Sequence, residues 1–316
     1  MSLLGCTTVW LVTGCSSGLG KSIANTVYQA GHCIVATARD VNSLSYLPGN
    51  DSRVLKLSLD VTSPESITDS MREAVAHFKK IDVVINNAGY GLLGEMEAIP
   101  ETEARRLMDT NFWGPVNVTK AALQLFREND EHQTTKTIVQ ISSMGGWITA
   151  PGHSFYHARY EALSEQTGTS ADEGSKFALE GFTESVAKEI GTIAGINFLI
   201  AEPSGMHTGF AESALEITYR HPVYNQPDSP LNFLIGHIAN PENRKSWSDP
   251  DRCAAVLFDC VVGQKKRAMP KRLVMGHGTI DLIQGDIQET IGDMDAWREE
   301  TERCGTSDQT VRVGLE

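Results

Sequence analysis

Thr13-Gly14-Cys15-Ser16-Ser17-Gly18-Leu19-Gly20 stands between an apolar run at 8–12 and an amphipathic stretch that begins at Leu19. Apolar run, glycine-rich turn and amphipathic stretch, in that order, read as strand, tight turn and helix. Glycine lets the backbone turn sharply and come close to a ligand. The helix N-terminus adds unpaired N–H groups and the positive end of a dipole. The segment is therefore a candidate phosphate cradle lined by Gly14, Ser16, Ser17, Gly18, Leu19 and Gly20. A lone glycine cluster is equally compatible with an ordinary turn, so the segments that follow decide.

Outward from this turn, apolar runs alternate with amphipathic stretches. Strand candidates are 8–13, 33–38, 53–59, 82–86, 137–142, 196–201 and 271–275. Helix candidates fall near 18–30, 64–79, 101–128, 176–191, 249–262 and 280–302. Alternation of this kind implies an α/β fold: a doubly wound parallel sheet of the Rossmann type with helices on both faces. In such sheets ligands bind beyond the carboxyl ends of the strands. Three polar segments sit at those ends: Asp60-Val61-Thr62, Asn86-Asn87-Ala88-Gly89 and Ile141-Ser142-Ser143.

Composition narrows the class. A chain of 316 residues, 41% hydrophobic, can bury one large core, and a single domain over 1–303 is expected, with 304–316 a polar tail. The net charge of −13, with no basic block, argues against a nucleic-acid or anionic-membrane partner. No run approaches the roughly 18 apolar residues of a membrane span, and no charged-then-apolar leader opens the chain, so a cytoplasmic protein is expected. The six cysteines form no Cys-x-x-Cys pair, which points to reduced thiols and no metal site. Residues 213–247 carry four prolines (222, 227, 230, 241) and no clean period. By pattern they are an irregular surface excursion.

Strand two ends at Ala38-Arg39. An acid at the Ala38 position would hold the ribose hydroxyls of NAD, and its absence, with a guanidinium next to it, favours the 2′-phosphate of NADP(H). The competing reading is a solvated arginine beside Asp40.

Together with Tyr156, these segments closely resemble the short-chain dehydrogenase/reductase family over roughly residues 8–300. Ala36-Thr37-Ala38-Arg39, Asn111-Phe112-Trp113, Ser175–Phe182 and Asp295-Ala296-Trp297 resemble its 17β-hydroxysteroid/retinol dehydrogenase-like branch. The resemblance implies an NADP(H)-dependent oxidoreductase that interconverts an apolar ketone and a secondary alcohol. Tyr156 would be the general acid/base, and Ser143, thirteen positions earlier, would hydrogen-bond the carbonyl oxygen. Lys176 would stabilise the phenolate and hold the nicotinamide ribose, and Asn111 would relay water to the lysine. Asp60 would bond the adenine amino group, and Asn87, Ala88 and Gly89 would line the adenosine side. Met206 and Thr208 would meet the nicotinamide carboxamide, with Ser204 replacing the family's usual glycine. Trp147, Phe155, Met206 and Phe210 could line an apolar substrate pocket. The resemblance also implies a mobile substrate lid at 213–247. Relatives form homodimers and homotetramers, and the same is expected here.

One departure is large. Tyr156 and Lys176 would be four residues apart but for the sixteen residues at 159–174. Two readings stay open: a true loop, or an in-frame intron that has been translated and whose removal restores Tyr-His-Ala-Ser-Lys. Sixteen residues add about 24 Å if helical, which displaces the lysine unless the chain doubles back. A displaced Lys176 implies the alternative function, a protein that binds nucleotide but is catalytically impaired.

Overall fold

Val9–Val12 forms β1, whose four residues are all buried, as expected of a central strand covered on both faces. The turn at 13–17 leads into α1 (Gly18–Gln29), and β2 (Cys33–Ala38) returns parallel to β1 with Trp10 opposite Ile34. This computed structural model describes residues 8–128, 135–157, 174–191, 195–209, 215, 218–263 and 267–305.

The sheet continues with β3 (Val54–Ser58), β4 (Val83–Asn86), β6 (Lys136–Ile141), β7 (Ile196–Pro203) and β9 (Arg272–Met275). Its order is β3-β2-β1-β4-β6-β7-β9, and every pairing is parallel. The expected doubly wound fold is present. Strand periodicity sends alternate residues to opposite faces. Trp10 and Val12 join one core cluster with Ile23, Val27, Leu257 and Phe258, whereas Val9 and Leu11 join another with Ile67, Met71 and Val118. Trp10 stacks on Phe258 at 5.4 Å, tying β1 to the helix Pro250–Val262.

Local chemistry sets the helix ends. In α2 (Pro64–Phe78), Ser63 accepts from the Ser66 amide at 3.2 Å, Pro64 occupies the first turn, and Lys79 ends the helix with φ +69°. The stretch expected as one helix at 101–128 is α3 (Glu101–Met108), a π-helical turn at Asp109–Trp113, and α4 (Gly114–Glu128). Such a turn is a common mark of a functional site. The catalytic candidates lie on α5 (Ser154–His157) and α6 (Ser175–Val186).

Beyond the sheet, a two-residue β5 (Leu93–Gly94) pairs with β8 (Thr218–Tyr219). The 213–247 stretch, expected to lack a period, contains α7 (Pro230–Ala239), capped by Ser229. Leu231 of α7 is buried and packs on Leu93. Glu95 accepts from Arg220 Nε at 3.2 Å and from the His221 amide at 2.9 Å, fastening the entry to this region. The helix eluded the sequence reading because Pro222, Pro227 and Pro230 break the pattern before it starts.

Two further expectations meet the structure here. The insertion at 159–174 lies outside the described residues except for Gly174, which precedes α6. Reduced thiols hold for Cys15, Cys253, Cys260 and Cys304, but Cys33 is disulfide-bonded. Spacing rules recognise only close pairs, and no cysteine lies within seventeen positions of Cys33.

Candidate active site

The glycine-rich turn has the shape expected of a phosphate cradle. Gly14 and Gly18 take φ +70° and +53°, where a side chain would be strained. A Cβ on Gly14 would lie 2.8 Å from the Ala88 Cα, so the turn presses against the end of β4. Asn87 fastens this contact: its Nδ2 donates to the carbonyls of Thr13 at 2.9 Å and Gly14 at 3.1 Å. Thr13 Oγ1 accepts from the amides of Asn87 and Ala88. Ser16 and Ser17 are exposed, Leu19 and Gly20 are buried, and Ser17 makes no side-chain cap on α1. The first N–H groups of α1 therefore face outward with no acid in the first turn, which suits a pyrophosphate. The methyl of Thr208 lies 3.2 Å from where a Gly18 Cβ would stand, so the segment after β7 closes over the same turn. Met206, half-buried, accepts from the Thr208 amide at 2.8 Å through its carbonyl.

Arg39, at the exposed end of β2, makes no ion pair among the described residues. Asp40, its rival partner, instead accepts from the Asn42 amide at 3.0 Å. Asp60 accepts from Thr62 and is held below the usual carboxylate range by those bonds, with a smaller contribution from the Arg39 charge. Arg39, Asp60 and the start of α1 thus all lie just beyond the carboxyl ends of neighbouring parallel strands.

The second half of the site lies where β6 ends. Tyr156 is buried against Leu92, Leu107 and Ile99. Lys176 Nζ stands 5.6 Å from the centre of the Tyr156 ring and donates to the Ile141 carbonyl at 2.9 Å. The expected displacement of Lys176 does not occur. Gly174 precedes α6, and α6 starts with Lys176 facing the Tyr156 ring of α5. Ser143 hydrogen-bonds the Tyr156 phenol and accepts from the Gly145 amide at 3.1 Å. Asn111, in the π-helical turn, is buried; its Nδ2 donates to the Tyr90 carbonyl at 2.9 Å and to Ser175 Oγ at 3.3 Å. Ser175 Oγ donates in turn to the Tyr156 carbonyl, so Asn111 braces the start of α6 against α5.

Burial governs the acid–base character. It pushes the Tyr156 phenol up to about 12, with the Ser143 bond acting against it. It pulls the Lys176 ammonium down to about 8, opposed by the charge of Glu180. At neutral pH this arrangement holds a protonated phenol beside a charged amine, a proton donor with its own electrostatic support.

Sequence reading missed the acids and the arginine behind this pair. Glu180, Glu202 and Arg272 converge from α6, β7 and β9, and Arg272 pairs with both acids. Their signal was faint: a Glu four residues after Lys176, and a charge inside each of two apolar strands. Trp147, expected in the substrate pocket, donates its indole N–H to Glu202 at 3.1 Å and lies under the Arg272 guanidinium. Phe155 packs beside Tyr156, Met206 packs on the core, and Phe210 lies outside the described residues.

The family model described as short chain dehydrogenase matches residues 8–217. An oxidoreductase of Penicillium decumbens, calM, is 37% identical over 290 residues, covering 90% of this chain and 89% of that protein. The 11-beta-hydroxysteroid dehydrogenase 1A of Arabidopsis thaliana is 32% identical over 213 residues, 66% of this chain and 53% of its own length. The crystal structure of a short-chain dehydrogenase from Streptomyces avermitilis superposes with a TM-score of 0.76 at 29% identity, covering 97% of this chain and all of that one.

Proposed function

The chain belongs to the short-chain dehydrogenase family, and within it we propose that it is an NADP(H)-dependent reductase of apolar ketones, running in reverse on secondary alcohols. The observation that carries this reading is the placement of Lys176 Nζ 5.6 Å from the Tyr156 ring, with Ser143 on the phenol. Bound NADPH supplies the hydride. The protein must then orient the carbonyl and deliver a proton. Ser143 hydrogen-bonds the carbonyl oxygen, and Tyr156 gives it the proton. The Lys176 ammonium stabilises the phenolate left behind and holds the nicotinamide ribose. Asn111 keeps α5 and α6 in register and passes water to the lysine.

Exposed, unpaired Arg39 next to Ala38 supports the preference for the 2′-phosphate. The backbone of 87–89 and the Asp60 carboxylate are suited to the adenosine, and Met206 and Thr208 to the carboxamide. Apolar lining around Tyr156 (Leu92, Ile99, Phe155 and Tyr219) supports an apolar substrate, as does the likeness to a hydroxysteroid dehydrogenase. The protein acts in the cytoplasm as a homodimer or homotetramer on this reading. Among the described residues no helix is long and apolar enough to cross a membrane. The nucleotide-binding but impaired alternative loses its support once Lys176 stands beside Tyr156.

The test is NADPH and NADH oxidation with a panel of apolar ketones, by the parent chain and Tyr156→Phe. Turnover with NADPH that vanishes in the mutant is expected. Turnover that survives the mutation, or that prefers NADH, contradicts the reading.

A further inference from the structure

A knot of buried charge lies directly behind the Tyr156–Lys176 pair. Glu180 follows Lys176 by one helical turn on the same face of α6 and is only 3% exposed. Its carboxylate accepts from Ser142 Oγ at 2.5 Å and is ion-paired with Arg272. Arg272 also meets Glu202 at 2.6 Å and Glu184 at 2.9 Å. The walls are tight. A Cβ on Gly146 would lie 1.8 Å from Glu180 Oε1, so the turn after Ser143 closes on the carboxylate itself.

Ser142 joins two working residues. The carbonyl before it, on Ile141, receives the Lys176 ammonium, and the residue after it, Ser143, meets the phenol. Holding Ser142 therefore fixes both. The charged and titratable groups facing Glu180 are Lys176 and Glu184 on α6, Arg272 on β9, Glu202 on β7 and, past Lys176, Tyr156 on α5. Buried Lys176 and half-buried Arg272 stand against the buried acids Glu180 and Glu202 and the part-exposed Glu184. Removing the Glu180 carboxylate takes away the negative charge one helical turn from Lys176, and of the two cations only Lys176 can shed a proton in the working pH range.

We propose that Glu180 is a positioning residue for the Tyr156–Lys176 pair: clamped between Arg272 and Ser142, its carboxylate fixes the strand end that carries Ser143 and supplies the buried negative charge that keeps Lys176 protonated. The inference rests on the proposed reductase reading. Burial raises the Glu180 carboxyl to about 7, so it is ionised where Lys176, at about 8, begins to lose its proton. Loss of a nearby negative charge makes the first proton easier to remove from the coupled pair, whichever member gives it up.

Glu180→Gln keeps the shape and an acceptor for Ser142 but removes the charge. In this variant the alkaline limb of the reduction profile should move down by about one pH unit. At pH 7.5 kcat should fall severalfold, and NADPH affinity at pH 6 should stay within about twofold. Glu184→Gln, which loses another partner of Arg272 at a more exposed site, should leave the limb in place. Ser142→Ala removes the clamp but not the charge; it should lower kcat about tenfold with the limb unmoved. A folded Glu180→Gln with the parental limb, an equal shift in Glu184→Gln, or a Ser142→Ala with parental kcat overturns the proposal. If the parent reduces no ketone, the reductase reading fails instead. The inference is then tested on binding alone, by the pH at which NADPH affinity declines, which should again fall by about one unit in Glu180→Gln and stay put if the inference is wrong.

Discussion

The two halves of the proposed active site are built in opposite ways. The cofactor half is a backbone device. Its proposed working parts, the turn at 13–20 and the backbone at 87–89, are short contiguous segments, fastened by the two bonds that Asn87 Nδ2 donates and by the positive-φ glycines Gly14 and Gly18. The catalytic half is a side-chain device. Ser143, Tyr156, Lys176 and Asn111 come from four separate elements, and Glu180 and Arg272 hold them from behind. A backbone device survives changes in the surrounding sequence as long as its glycines stay. A side-chain device depends on every element returning to register, and the sixteen residues before Ser175 put that requirement to the test.

The sharpest contrast should appear in Tyr156→Phe. Losing the proton donor should lower turnover by about 10³- to 10⁴-fold while NADPH binding, the task of the other half, stays nearly unchanged. A matching loss of cofactor affinity would erase the distinction between the halves. Lys176→Met should follow, with turnover down about a hundredfold or more and some weakening of NADPH binding, because the lysine is proposed to hold the nicotinamide ribose as well as to support the phenolate. Steady-state kinetics with cofactor titration separates the two effects.

Arg39→Ala should do the reverse. Loss of the 2′-phosphate pairing should cost about 1.5–3 kcal/mol of NADPH affinity and leave NADH untouched, with kcat on saturating cofactor unchanged. Fluorescence titration of both cofactors reads this directly. An unaltered preference would move the specificity elsewhere. In the parent, reduction should fall as pH rises through about 8, because the ammonium that stabilises the phenolate is charged below that value and neutral above it. A profile flat to pH 10 would mean that Lys176 is not the supporting charge.

The same contrast explains what the sequence disclosed. β1, the turn and α1 could be located to within a residue or so because glycine punctuation and an apolar run are local signals. The parallel sheet followed from alternation along the chain, and its seven strands fell where the apolar runs placed them. Local signals stop at the catalytic half. Spacing alone put Lys176 out of reach, whereas the fold returns it through the packing of Leu179 and Thr183 and the Asn111–Ser175 bond, none of which has a sequence signature. Arg272 and Glu202 were invisible for a related reason. A charge in an apolar strand is informative only when its partner is known, and these partners lie 70 positions apart. The helix at Pro230–Ala239 was hidden by the prolines in front of it.

The smallest expected effect tests the central claim, that the intact chain assembles its own Tyr156–Lys176 pair. NADPH-dependent reduction of an apolar ketone should be compared, under one set of conditions, for the full chain and for a variant lacking residues 159–174. Because Lys176 already stands beside Tyr156 in the full chain, the two rates should agree within about tenfold, and both should collapse with Lys176→Met. A full chain at background, with activity appearing only on deletion, would contradict the account.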